Sequence, residues 1–325
     1  MSTPVSRRQL LATGITLAAA STTGGTRQSA RAAPDTHAEP QRPGRPDFPI
    51  SLNTSTLRGH KLPITEVIDI AAEAGYAGIE PWPDELDRYT EAGHSLRDLR
   101  QRLDDRGLAV TGAIAFPHWM VDDDTARAKA YEEVRRHLDR LSQIKASHMA
   151  LPPAGEVKNV DLLAAAERYR ELLELSENFG VTPAIELWGF AANLSRLGQT
   201  ALVAIEADHP RACILPDVYH LYKGGSSLRT IRCLHGSLYG GFHLNDIPAD
   251  PPPPDQITDA HRVCPGDGIM PLAQLIRDLH AVGYRGAVSV ELFNPDYYRQ
   301  DPRLVARTAL AKTHAVLAAA TKPAS

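Results

Sequence analysis

Four acid or imidazole side chains close successive apolar runs in the second half of the chain. Ala184-Ile185 leads into Glu186, Leu215-Pro216 into Asp217, Gly241-Phe242 into His243, and Val288-Ser289-Val290 into Glu291. A carboxylate at the tip of a buried run is costly to dehydrate unless something compensates it. Taken singly, each acid has an ordinary reading as half of a structural ion pair. Together they are harder to explain, because three facing carboxylates repel one another unless a cation sits among them. No Lys or Arg lies on these run ends. Three oxygen donors and one imidazole suit one divalent ion, Mn²⁺ first, with Co²⁺, Mg²⁺ or Zn²⁺ as alternatives. The absence of Cys from the set argues against a structural zinc site. Such an ion polarises the carbonyl of a hydroxy-ketone and acidifies the neighbouring C–H. Glu186 and Glu291 can then flank a bound sugar, one removing a proton and the other returning it. That is isomerisation or epimerisation through an enediolate.

The elements that must position these residues follow from periodicity. Strands are expected at 50–54, 78–81, 109–115, 148–151, 182–187, 212–215, 239–244 and 287–292. Helical stretches fall between and after them, at 64–74, 95–106, 124–145, 161–179, 197–207, 226–234, 272–282 and 302–319. Ile64, Val67, Ile68, Ala71 and Ala72 fall on one helical face. Asp124, Asp161 and Asp301 are expected N-caps, and Gly75, Gly107, Gly180 and Gly283 stand where helices should stop. Strict strand–helix alternation implies a parallel sheet with helical crossovers. Eight units in about 270 residues predict an α/β fold, a single closed (β/α)₈ TIM barrel over residues 48–325. An open dinucleotide-binding sheet would want a Gly-rich turn after an early strand, and none is present. In a barrel, chemistry gathers at the C-terminal strand ends, which is where the four residues lie.

With those motifs in place, the chain resembles the xylose-isomerase-like sugar phosphate isomerase/epimerase superfamily. That group includes ketose 3-epimerases, hydroxypyruvate isomerase and inosose isomerase. The resemblance spans roughly residues 48–320 and rests on Ile185-Glu186, on Asp217-Val218-Tyr219-His220, and on His243-Leu244-Asn245-Asp246 with the 259–268 stretch that follows. The last stretch looks most like inosose isomerases. The resemblance implies Glu186, Asp217, His243 and Glu291 as metal ligands, Glu186 and Glu291 as the acid–base pair, and His220 and Arg262 as partners of substrate oxygens. It also implies a small-molecule sugar, keto-sugar or inosose substrate.

Further residues are expected near the mouth. Glu80 closes the second strand, as a substrate contact or as a support for a ligand. Trp82, Trp119, Trp188 and Phe190 fall at or beyond strand ends, where rings pack on sugar C–H faces, and Trp119 and Trp188 are assigned to substrate. His148 reads as a packed, hydrogen-bonded residue. Arg262 lies in a 24-residue loop, 247–270, which contains Pro251–Pro254 and reads as a structured lid.

Composition excludes other classes. The 325 residues carry a net charge of −4, without the basic footprint of a nucleic-acid binder. No apolar run is long enough for a transmembrane helix, so no stable membrane anchor is expected. A homo-oligomer is compatible with this reading. Three widely spaced cysteines do not make a disulfide framework. Ser6-Arg7-Arg8, an apolar run to Ala20 and Ala30-Arg31-Ala32 form a twin-arginine export signal over 1–32, followed by a disordered linker over 33–47. An exported enzyme would meet free sugars, keto-sugars or oxidised glycosides rather than phosphorylated intermediates. A 3-keto-glycoside lyase, starting from the same proton abstraction, is therefore the alternative. A metal-dependent phosphodiesterase, which needs a His-rich cluster, and a non-catalytic sugar-binding barrel rank below it.

Overall fold

The computed structural model describes residues 48–155 and 158–321, so the export signal over 1–32 and the linker over 33–47 lie outside the described residues. Eight short strands run β1 (Ile50–Asn53), β2 (Gly78–Glu80), β3 (Ala109–Val110), β4 (His148–Leu151), β5 (Thr182–Glu186), β6 (Ile214–Leu215), β7 (Phe242–Leu244) and β8 (Val288–Val290). All pairings between strands are parallel, in the orders β3-β2-β1-β8-β7 and β4-β5-β6. Single parallel bridges join the two sets. Ile114 pairs with Ala150, and Ile214 with Tyr239 and Asp217 with His243 on the other side. The ring of eight strands is thus closed, as the alternation predicts.

Several strands are shorter than expected. β3 ends at Val110 and resumes only as the Ile114 bridge; between them Gly112 lies against His148, with no room for a Cβ. Three helices escape the periodic reading, among them the four-residue Pro295–Tyr298. Pro83–Glu91 carries few apolar residues, and Val218–Lys223 is too short for periodicity to register. The helix expected at 226–234 is a 3₁₀ segment, Leu228–Cys233.

Helix ends follow local chemistry. Asp161 and Asp301 cap their helices as expected, but Asp123 caps the helix Asp124–Gln143, one residue before the expected Asp124. Gly75 ends Ile64–Ala74 at φ 97°, a left-handed position that a side chain would strain. The apolar faces of the helices pack onto the strands in one large core, which includes Trp119 and Tyr169, beside two smaller buried clusters. No helix among the described residues is long and apolar enough to cross a membrane.

Candidate active site

The four strand-end residues converge. Parallel register explains how, since each lies within two residues of the C-terminal end of its strand and Asp217 bridges directly to His243. All four are buried. His243 organises them. Its Nε2 lies 3.0 and 3.1 Å from the two carboxylate oxygens of Glu80, so it donates there. Its Nδ1 then faces the other acids, 3.3 Å from Glu291 Oε2, 3.5 Å from Glu186 Oε1 and 4.0 Å from Asp217 Oδ2.

Each acid has a different set of partners. Asp217 accepts from the His220 backbone N–H at 2.8 Å, capping the short helix that follows, and from Asn245 Nδ2 and Arg262 Nη1, both at 2.8 Å. Glu291 accepts from Asn53 Nδ2 at 3.1 Å and Arg262 Nη1 at 2.7 Å. Neither oxygen of Glu186 has a hydrogen-bond partner, and nor does His243 Nδ1. Orphaned buried polar atoms of this kind are rare and call for an explanation.

The electrostatic settings of the two glutamates diverge. Burial, reinforced by Glu291 and Asp217, pushes Glu186 up to about 8 against the pull of His243. Burial also raises Glu291, but the charges of His243 and Arg262 outweigh it and hold it below the usual carboxylate range. Burial likewise raises Asp217 to about 6, with Arg262 and His243 opposing. His243 is lowered by burial, yet Glu291 and Glu80 drive it well above the ordinary imidazole value.

A divalent ion fits this donor set. Ligand atoms of Glu186, His243 and Glu291 lie within 4.8 Å of one another, and His243 Nδ1 stands 3.3 and 3.5 Å from the two glutamate oxygens, spans that bonds of about 2 Å can bridge. The three orphaned atoms belong to two of those residues. Asp217 Oδ2 stands next to them, shared with Arg262 and Asn245.

The compensating cation that the strand ends lack arrives from a loop. Arg262 is buried, with Nη2 and Nε donating to Asp259 Oδ1 at 2.6 and 3.0 Å, and its guanidinium stacks over Tyr219. Reading strand ends alone could not find it, because the loop brings it back from beyond β7. Its Nη2 also lies 3.3 Å from His220 Nε2. Burial and the nearby Arg262 charge keep His220 neutral, well below the ordinary value.

The other expected residues divide. Glu80 is taken up by His243 and by Asn53 Nδ2 at 3.3 Å, so it supports a ligand in place of the substrate contact assigned to it. Trp119 is corrected to a core residue: fully buried, it packs against Tyr169 and donates Nε1 to the Pro152 carbonyl at 3.1 Å. Its position just past a strand end was not enough to predict exposure to the mouth. Trp188 is half-buried and lies beside His220, with ring centroids 6.5 Å apart. It belongs to a row of rings running Phe293, Trp82, Phe116, Trp188, Phe190, with neighbouring centroids 5.4 to 6.1 Å apart. Phe190 is 41% exposed. His148 bonds Ser147 through Nδ1 at 3.1 Å, and its Nε2 lies 3.7 Å from Glu80.

Asn53 was missed. It ends β1, accepts from Trp82 Nε1 at 3.0 Å and bridges Glu80 to Glu291. The strand-end rule applied to β1 would have found it.

Comparison with known proteins agrees with this fold. A family model described as xylose isomerase-like TIM barrel matches residues 68–314. A fructoselysine 3-epimerase from Escherichia coli O157:H7 is 27% identical over 274 residues, 80% of this chain and 96% of that protein. An inosose isomerase from Bacillus velezensis is 24% identical over 256 residues, 77% of this chain and 90% of that protein. Among solved structures, one described as IOLI protein with a binding zinc atom superposes with a TM-score of 0.77 at 22% identity. It covers 83% of this chain and 98% of that one.

Proposed function

We infer the reaction from a fixed premise: the chain belongs to the xylose isomerase-like TIM barrel family. Within it, we propose that this protein is a divalent-metal-dependent isomerase or epimerase of a small hydroxy-ketone, a sugar or cyclitol. The observation that carries the proposal is the pair Glu186 and Glu291. They meet at one imidazole nitrogen, and their environments push their proton affinities apart. Pairs separated in this way are the signature of assigned acid and base roles.

Glu186, Asp217, His243 and Glu291 are the proposed ligands, supported by the orphaned atoms. The name of the zinc-binding neighbour supports a metal without fixing which one, and Mn²⁺ is our first choice. A divalent ion held there supplies Lewis acidity toward a carbonyl or hydroxyl oxygen. One of the two glutamates, as a carboxylate, takes the proton from the carbon beside the carbonyl, and the other returns one to the resulting enediolate. Arg262 and His220 hold substrate oxygens, and the half-buried Trp188 offers its ring to a C–H face. A proton delivered to the same carbon on the opposite face gives epimerisation. Delivery to the neighbouring carbon gives isomerisation.

The test is a panel of free keto-sugars and inososes incubated with metal-loaded protein. An epimer or isomer supports the proposal. An unsaturated elimination product from 3-keto-glycosides alone would assign the same site to a lyase. Turnover of none of them would remove the reading.

We further propose export by the twin-arginine route, carried by Ser6-Arg7-Arg8 and Ala30-Arg31-Ala32. N-terminal sequencing of protein recovered outside the cytoplasm is expected to start near Ala33. An uncleaved chain confined to the cytoplasm contradicts it.

A further inference from the structure

We propose that Asp246 is the positioning residue that delivers Arg262 to the site, and this rests on the reading of the site given above. Asp246 follows β7 and is fully buried, yet it forms no ion pair among the described residues. Its carboxylate instead accepts four backbone N–H groups from both ends of one loop. Oδ1 takes Ile247 at 2.8 Å and Met270 at 3.0 Å, and Oδ2 takes Gly266 at 3.0 Å and Gly268 at 3.1 Å. The backbone of Asp246 also pairs with Val263 in both directions, at 2.9 and 3.0 Å. One residue therefore ties the departure of the loop to its return.

Arg262 directly precedes that pairing. Its own carbonyl is held by Asn294 Nδ2 at 3.1 Å. The far part of the loop is pinned separately, with Lys223 Nζ and the Tyr219 hydroxyl donating to the Ile257 carbonyl. Without the Asp246 tie, the chain carrying Arg262 loses its fixed origin. A guanidinium that must reach both Asp217 and Glu291 with one nitrogen tolerates little displacement. The sequence around it fits this role. A Cβ on Gly268 would stand 1.9 Å from the Ile247 carbonyl oxygen and 2.5 Å from Asp246 Oδ1, and Gly266 sits at φ 89°. Both glycines are what a carboxylate gripping the backbone requires.

Asn at this position keeps the shape but replaces one acceptor oxygen by a donor, so two of the four N–H groups face an N–H₂. On a substrate that the wild type turns over, Asp246→Asn is expected to lower kcat/KM at least tenfold. In an Arg262→Met background it should cost less than twofold, because there is no guanidinium left to position. A purely structural role would cost the same factor in both backgrounds, and that result overturns the proposal. A second cycle needs no substrate. Arg262→Met is expected to raise the unfolding equilibrium constant at least tenfold in the wild type and less than threefold beside Asp246→Asn. Equal factors overturn the proposal here too. Gly268→Ala disturbs the same tie from the other side and repeats both cycles should Asp246→Asn not fold. If no sugar is converted but the stability cycle shows coupling, the proposed reaction fails and the positioning role stands.

Discussion

Glu186→Gln and Glu291→Gln are each expected to lower turnover by at least about 10²-fold, the range of a general acid or base, with a much smaller change in substrate affinity. Gln preserves size and one ligating oxygen but cannot carry a proton to carbon. The two variants should not behave alike. One carboxylate begins the reaction by taking the proton and the other ends it by returning one. In D₂O, one variant should therefore still exchange the substrate C–H while forming no product. The other should do neither. Near-full turnover in both variants would leave the carboxylates without a chemical role, and the exchange pattern identifies which of them takes the proton.

Loss of the metal is the second large effect. Asp217→Ala and His243→Ala are expected to abolish stoichiometric binding of a divalent ion, read by elemental analysis after desalting. Full occupancy in both would remove the basis of the site. Glu80 fixes the imidazole through Nε2, so Glu80→Gln should weaken affinity by about 10- to 100-fold, as losses of such outer partners do. The pH dependence has a definite sign. A metal must displace protons from any ligand that holds them. Glu186, at about 8, and Asp217, at about 6, both hold protons in the folded chain above their ordinary range. Affinity should accordingly rise with pH through 6 and up to about 8, and the proton that His243 holds above its ordinary range adds to the rise. The metal-free fold has the opposite trend from these two groups. Their raised folded values favour the protonated native state, so the stability they contribute is full below about pH 4, the ordinary range for Asp and Glu. It is lost as pH rises through 6 and 8. Calorimetry at several pH values checks both signs, and flat affinity between pH 6 and 8 contradicts the account.

How much of this was legible in the sequence depends on what kind of signal each residue leaves. The barrel follows from alternating apolar runs, and the convergence of Glu186, Asp217, His243 and Glu291 follows from parallel strands in register. These are local patterns repeated eight times, so an error in one strand does not alter the topology. Arg262, Asp259 and Asp246 act through a loop whose path no periodicity encodes. The cation among the carboxylates was therefore invisible at the strand ends, although Arg262 had been singled out by resemblance. Trp119 failed for a related reason. A ring just past a strand can turn to the mouth or to the core, and only packing against Tyr169 decides. Glu80 was placed at the right strand end, but its partner, an imidazole 163 residues away, settles whether it touches substrate or holds a ligand.

The central claim is proton transfer between carbon and carboxylates that exchange with solvent. It is tested most directly by proton NMR of the wild-type, metal-loaded protein with a converted keto-sugar or inosose in D₂O. The account predicts that deuterium enters at the carbon beside the carbonyl, in product and in recovered substrate, and that a chelator stops both exchange and conversion. Product formed with no solvent deuterium at any carbon would mean that hydrogen moves directly between carbons, and would contradict the account.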